Sequence, residues 1–317
     1  MIPYTWFEQA RARIAPHINH TQTTHDPARN WYIKWENQQI TGSFKARGAL
    51  NKVLSLAAWE LDRGIVTASA GNHGQGVALA GKLVQARVTV FVPASAVPKK
   101  VQAIRKLGAK IQTIEGGYEE AERAGIEFAA SNGLTWVSAY NDGQVIAGQG
   151  TIALEVQGDW PQLSKATWLV PVGGGGLISG IAAALKSAHL PDGEVKVIGI
   201  QSQASAFMHH LFHYGTQDGV QDLPSLADGL AGAVEHNSIT IPLVKKFVDD
   251  IILVSEQEIS QAIAFAWHNY KEKIEGSAAA ALAGLLRQKI TERPLVCVIS
   301  GGNIQPEIHE RIITSFG

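Results

Sequence analysis

Apolar positions along this chain follow two alternating rhythms. Short β-branched runs give way to longer alanine-rich stretches in which apolar residues recur every three or four positions. "GIVTAS" (64–69) precedes "GNHGQGVALAGKL" (71–83), "ARVTVFVP" (86–93) precedes "AVPKKVQAIRKLG" (96–108), and "AKIQTIEG" (109–116) precedes "YEEAERAGIEFAA" (118–130). Farther on, "TWLVPVG" (167–173) precedes "GLISGIAAALKSA" (176–188), and "VKVIGIQS" (195–202) follows. The short runs predict strands and the longer ones helices, and this alternation predicts parallel sheets with helical crossovers. It runs twice, over 64–140 and from about 165 onward, with no low-complexity linker and no internal repeat between. The fold class read from the pattern is α/β, with two open parallel-sheet domains. Residues 51–142 are expected to form the smaller domain, and 1–50 with 143–317 the larger, with the active site in the crevice between them.

Composition leaves this picture unchanged and removes several functions. The 317 residues are 45% hydrophobic and 17% charged, with a formal net charge of −1. Such a balance offers no electrostatic footprint for nucleic acid or an anionic membrane. The one cysteine, Cys297, excludes an internal disulfide and sits in the apolar run "LVCVIS", a buried-strand setting. The opening "MIPYTWFEQARARIAP" lacks a signal-peptide core, and no apolar stretch approaches membrane-spanning length, so a cytoplasmic protein is expected. His209, His210 and His213 cluster in "FMHHLFHYG" without a carboxylate or cysteine at ligand spacing, and are read as helix-surface or packed side chains.

Glycine placement is where chemistry enters. Of the 32 glycines, many fall in "SAGNHGQG" (69–76), "VGGGGLISG" (172–180), "ADGLAG" (227–232) and "SGGN" (300–303). Three of these clusters directly follow a predicted strand, where open parallel sheets collect their ligands. "PVGGGGLISG" fails as a dinucleotide fingerprint: the third glycine of G-x-G-x-x-G becomes Ile178 or Ser179, and the next strand ends at Gln201 rather than an acidic residue. "GVALAGKL" (76–83) nearly fits a P-loop, but Leu83 replaces the metal-binding hydroxyl. Four glycines before a helix can still offer a nest of N–H donors to one phosphate monoester. Elsewhere, "ITGSFKARGA" (40–49) sets Lys45 where a helix should start, although a cation there opposes the helix dipole. A single phosphate site with a specially placed lysine points to pyridoxal phosphate, whose aldehyde forms a Schiff base with an amine.

Five segments, "KWENQQITGSFKARGA" (34–49), "SAGNHGQGVA" (69–78), "AGQGTIALEV" (147–156), "PVGGGGLISG" (171–180) and "SGGNI" (300–304), occur in one order. Together they closely resemble the fold-type II pyridoxal-phosphate enzymes of the threonine/serine dehydratase and serine racemase group, over nearly the whole chain. The resemblance implies the tryptophan synthase β-like architecture, with the cofactor pyridoxal 5′-phosphate bound mainly by the larger domain. It implies that Lys45 carries the cofactor and handles protons at the substrate α-carbon, with Phe44 flanking the ring and Asn72 bonding its 3-hydroxyl. Gly173, Gly174, Gly175, Gly176 and Leu177 would cradle the phosphate. Ser300 would face the pyridine nitrogen, where a hydroxyl, unlike a carboxylate, does not stabilise a pyridinium. Ser69, Ala70, Gly71, Asn72 and His73 would bind the substrate carboxylate, a role that unpaired N–H groups at a helix N-terminus support independently. Ser69 is also a candidate helix cap, and His73 is given no proton-transfer role.

Within the group, racemase-type relatives carry a serine immediately before Gly-Asn, where this chain has Ala70. That implies elimination from a small L-β-hydroxy amino acid, L-threonine or L-serine, to a 2-oxo acid and ammonia. Amino-acid racemization, β-hydroxyaspartate dehydration and β-replacement are the alternatives. β-Replacing synthases usually show Asp after the lysine and Thr at the position of His73, so "FKARG" and "GNHG" fit dehydratases better; a non-catalytic cofactor carrier would have little reason to keep every cofactor contact. Three departures stand out: "TQT" (21–23) in place of Thr-Pro-Leu, "SAY" (138–140) in place of a proline-containing triplet, and Gln201 and Phe207 in place of the acidic metal ligands of metal-dependent members. The first two are expected to alter packing near the substrate, and the third implies that the metal site is absent. No regulatory module follows "SGGNIQPEIHERIITSFG", which suggests a stand-alone enzyme, and the resemblance implies a homodimer.

Overall fold

A computed structural model describes residues 2–187, 195–287, 290 and 294–316. Its strands are β1 (Thr23–Asp26), β2 (Trp31–Trp35), β3 (Ile65–Ala68), β4 (Val88–Pro93), β5 (Lys110–Ile114), β6 (Thr135–Trp136), β7 (Thr167–Pro171), β8 (Lys196–Ser202), β9 (Asp250–Val254) and β10 (Leu295–Ile299). They form a four-stranded sheet in the order β5-β4-β3-β6 and a six-stranded sheet in the order β1-β2-β10-β7-β8-β9. Every pairing is parallel except β1 with β2. The expected strands and helices form where the two rhythms place them; the last residue of the expected helix 176–188 lies outside the described residues.

Burial on both faces explains the apolar strands. In β10, Val296 and Val298 join the core on one face, with Trp168, Val170, Ile181 and Phe7. Leu295, Cys297 and Ile299 join the core on the other, with Leu169, Ile200 and the alanine-rich Gly276–Leu286 helix. Successive side chains point to opposite faces, so a strand covered on both sides must be apolar throughout. The lone cysteine is therefore packing material, fully buried, and burial alone pushes its thiol far above the ordinary range.

The Lys45–Leu54 helix, across which position 50 falls, connects the two sheets. Its Ala46, Ala49, Leu50 and Val53 are buried in the core of the four-stranded sheet, with Val77, Val90 and Ile104. Its other side crosses the Gly143–Asp159 helix so closely that a Cβ on Gly148 would lie 2.6 Å from the Cα of Gly48. Only glycine permits that backbone approach.

A buried ion cluster fixes the same helix. The Arg47 guanidinium donates from Nε to Glu36 Oε2 at 2.7 Å and from Nη1 to Glu155 Oε1 at 2.7 Å. Lys34, buried in the middle of β2, donates to Glu155 Oε2 and to the backbone oxygen of Thr21, each at 2.8 Å. The Thr21 hydroxyl completes the set by donating to Glu36. Two cations face two carboxylates, so the cluster is neutral, which is the condition for placing charge in a low-dielectric interior. Burial alone would raise the Glu155 pKa; Arg47 and Lys34 outweigh it and hold the carboxyl below its usual range. The departure at "TQT" thus has a definite place: Thr21 is tied beneath the helix that begins with Lys45.

Candidate active site

Three loops leave the carboxyl ends of parallel strands and converge on the start of the Lys45–Leu54 helix. β3 runs into Ser69–Gly71 and the Asn72–Leu83 helix, β7 into the glycines at 173–175 and the Gly176–Ser187 helix, and β10 into Ser300 and Gly301. The last loop grips the lysine segment directly. Phe44 N donates to Ser300 O at 3.0 Å, Gly302 N donates to Gly42 O at 2.9 Å, and Ser43 bridges Gly301.

Lys45 is the first helical residue, half-buried, and its Nζ donates to Ala139 O at 2.8 Å, 5.3 Å from the centre of the Phe44 ring. Burial lowers its pKa to about 8, against an opposing pull from Glu275. The free amine is therefore far better represented near neutrality than for an exposed lysine, whose pKa is roughly 10.4. An accessible neutral amine is what Schiff-base chemistry requires.

The glycine loop has the features of an anion cradle. Among the described residues, no acceptor lies against the N–H groups of Gly174, Gly175, Gly176 or Leu177. These donors stand at the N-terminus of the Gly176–Ser187 helix, where a phosphate is favoured both by hydrogen bonding and by the dipole. Gly175 has φ +87°, and a Cβ on Gly174 would lie 2.6 Å from the ring of Tyr140. Thr240 Oγ1 donates to Gly174 O at 2.7 Å and pins the loop from the other side. The residues thus fit a pyridoxal phosphate: donors without partners for the dianion, and a poised amine for the aldehyde. Replacing Gly174 with alanine is expected to weaken cofactor binding by about ten- to a hundredfold, the cost of one charge-assisted hydrogen bond displaced. Absorbance titration of the apoenzyme would measure it, and unchanged affinity would remove the loop from the phosphate site.

In the Ser69–His73 loop, Ser69 N donates to Phe91 O at 3.1 Å, while among the described residues no acceptor lies against the N–H groups of Ala70, Asn72 and His73. Ser69 Oγ accepts from Gly71 N at 3.1 Å, while Gly71, not Ser69, is the residue preceding the helix. The serine therefore braces the turn instead of capping the helix. Ala70 is half-buried against the core of the four-stranded sheet. His73 is buried, and its Nε2 lies 3.1 Å from Val137 O, so that nitrogen carries the proton. Burial, then the nearby Lys45 charge, lowers its pKa to about 3. The imidazole is thus neutral and anchored to a backbone oxygen.

Several side chains beyond the expected site residues complete the surroundings. Tyr140 underlies the glycine loop, with its hydroxyl accepting from Glu235 N at 3.1 Å, and Ala139 O receives the lysine amine. Both belong to the triplet "SAY", so this departure sits at the phosphate loop and the lysine. Glu275 and Asn303 hold Asn72 from either side: Asn72 Nδ2 donates to Glu275 Oε1 at 2.8 Å, and Asn303 Nδ2 donates to Asn72 Oδ1 at 2.7 Å. Gln201 Oε1 accepts from His209 N at 2.9 Å, and Phe207 is buried in the core, so both positions are occupied in packing. His213 Nε2 is 3.0 Å from Ile251 O, placing that histidine group against β9.

Comparison with known proteins gives a consistent pattern. Residues 14–301 match the model of a family described as pyridoxal-phosphate dependent enzyme. The L-threonine ammonia-lyase of Thermotoga maritima is 43% identical over 284 residues, 89% of this chain and 69% of that protein. Among solved structures, the processed form of threonine deaminase isoform 2 from Solanum lycopersicum superposes with a TM-score of 0.88 at 30% identity, over 99% of this chain and 93% of that one. Serine racemase from Dictyostelium discoideum superposes with a TM-score of 0.86 at 33% identity, over 96% of this chain and 99% of that one.

Proposed function

Because the chain belongs to the pyridoxal-phosphate dependent enzyme family, we propose that it is an ammonia-lyase acting on L-threonine or L-serine. The reaction removes the α-proton and the β-hydroxyl as water; the released enamine tautomerises, takes up water and yields a 2-oxo acid and ammonia. The bound cofactor supplies an electron sink conjugated to the substrate α-carbon. Lys45 carries it and moves the α-proton through Nζ. Gly173, Gly174, Gly175, Gly176 and Leu177 hold its phosphate, Phe44 flanks its ring, Asn72 meets its 3-oxygen and Ser300 its ring nitrogen. The open N–H groups of the Ser69–His73 loop bind the substrate carboxylate.

The observation that carries elimination over racemization is the contrast between Lys45 and Ala70. One side chain has an amine with a lowered pKa, and the other ends in a methyl group. Moving a proton on the second face of the α-carbon needs an acid–base group within hydrogen-bond reach, and alanine has none. The ammonia-lyase and deaminase names of the relatives support the same choice. The reading extends to a homodimer working in the cytoplasm, in keeping with the family resemblance; no helix among the described residues is long and apolar enough to cross a membrane.

A panel of β-hydroxy amino acids tests the proposal. L-threonine or L-serine is expected to give 2-oxo acid far faster than any D-amino acid appears, and Ala70→Ser to raise racemization. Wild-type racemization as fast as elimination would overturn the reading. No turnover of any β-hydroxy amino acid would point to β-replacement instead.

A further inference from the structure

Asn72 is the end of a hydrogen-bonded chain whose direction is fixed from outside. Asn303 Nδ2 donates to Thr41 O at 2.9 Å as well as to Asn72 Oδ1, so the Asn303 amide presents its donor side to Asn72. On the other side, Glu275 Oε1 accepts from Asn72 Nδ2, and its Oε2 accepts from Asn303 N at 3.1 Å. A carbonyl oxygen and a carboxylate only accept, so both amides have one possible orientation. Asn72 is left with one unused N–H on Nδ2. The carboxylate comes this close because residue 301 is glycine: a Cβ there would lie 2.6 Å from Glu275 Oε1. Glu275 also acts on Lys45, the two charges attracting across the same site.

We propose that Glu275 is a positioning residue for the cofactor: it aligns the Asn72 donor toward the ring oxygen and supplies a counter-charge to the Lys45 amine. The inference rests on the reading of Lys45 and Asn72 as cofactor-binding residues. Burial, then the nearby Asp228, raises the Glu275 pKa to about 7, while Lys100, Asn72 and Asn303 oppose the rise. The donors it aligns favour the accepting carboxylate form, and burial outweighs them in part. Glutamine is a poor substitute, because two donors converge on its two terminal atoms and an amide has one acceptor oxygen.

The test uses Glu275→Gln and, as a variant that keeps the charge, Gly301→Ala, whose added methyl would lie 2.6 Å from Glu275 Oε1 and 3.0 Å from Ser43 Cβ and so presses the carboxylate away from Asn72. In the apoenzyme, the pH dependence of Lys45 labelling by an amine-reactive reagent is expected to shift to lower pH in Glu275→Gln, and far less in Gly301→Ala. In the holoenzymes of both variants, the visible absorbance band of the cofactor is expected to titrate at a different pH from wild type. Cofactor affinity is expected to fall about tenfold, the worth of one hydrogen bond to a charged group. A merely structural glutamate would change neither the lysine titration nor the band. If Glu275→Gln does not fold, the Gly301→Ala spectrum decides: an unshifted band overturns the inference. Unchanged lysine titration in a folded Glu275→Gln protein overturns it as well. Borohydride reduction of the wild-type holoenzyme keeps the two readings apart, since a pyridoxyl adduct away from Lys45 refutes the site itself rather than the role of Glu275.

Discussion

Lys45→Ala is expected to lower turnover by roughly 10⁴-fold, the upper end of what a positioned acid–base group contributes. It is also expected to abolish the visible Schiff-base absorbance while leaving cofactor bound through its phosphate. The reasoning is local. Among the described residues, Lys45 Nζ is held by one backbone oxygen, Ala139 O, with no carboxylate in hydrogen-bond contact, so the amine is free to exchange one partner for another. Burial lowers its pKa to about 8, so the neutral form dominates above that pH. In the apoenzyme, the rate of reaction with an aldehyde is expected to rise with pH and level off above about 8, instead of climbing toward the ordinary lysine range. Borohydride reduction and peptide mapping should place the pyridoxyl adduct on Lys45. An adduct on another lysine would sink the assignment, and so would substantial turnover by the alanine variant.

The second large effect concerns stability. Arg47→Met is expected to cost about 3–5 kcal/mol, because it leaves Glu36 and half of Glu155 buried without their partner. Against a typical total of about 5–15 kcal/mol, that is a large share. The loss should depend on pH in a definite direction. Without the guanidinium, Lys34 is left as one cation facing two buried carboxylates, so burial favours protonation of the uncompensated carboxyl in the folded state. Groups shifted that way destabilise as pH rises through the unfolded carboxylate range, and the penalty is relieved on acidification. Arg47→Lys should recover only part of the loss, since an ammonium cannot reproduce the forked contact with two carboxylates. Urea unfolding of the wild type and both variants at two pH values checks this. Equal stability of Arg47→Met and wild type at neutral pH would show that the cluster is not worth its burial.

What the sequence made legible follows from the range of the interactions involved. Strands β3, β4, β7 and β8 declare themselves by apolar runs, because both their faces are largely covered, whereas the edge strand β5 shows only the alternation of "KIQTI". β2 does not, since "WYIKW" carries a lysine at its centre, and the partner that neutralises it, Glu155, lies on a helix far along the chain. β1, "TTHD", is a short polar edge with nothing apolar to announce it. The glycine clusters and Lys45 were readable because their chemistry is written in consecutive residues. Glu275 was not, and the roles of Asn303 in "SGGNI" and Tyr140 in "SAY" were not, because each acts only through what folding sets beside it. Ser69 shows the limit within a motif: a serine just ahead of Ala-Gly-Asn-His has the composition of a helix cap, yet the helix starts two residues too late for it.

The position of β10 has a consequence for how the chain must be built. It lies between β2 and β7, pairing with both, although it is the last strand of the sheet to leave the ribosome. The four-stranded sheet is complete by residue 136 and can fold while synthesis continues. The six-stranded sheet cannot: until 295–299 emerge, β2 has an open flank and nothing joins it to β7. Such long-range pairing is slow and leaves apolar edges exposed in the interval. The nascent protein therefore passes through a stage with one finished half and one divided half, during which chaperone binding is expected to concentrate on Trp31–Trp35 and Thr167–Pro171. Closure of that gap also delivers Ser300 and Gly301 to the lysine segment, so competence to bind the cofactor arrives with the final step of assembly and reports that it has occurred.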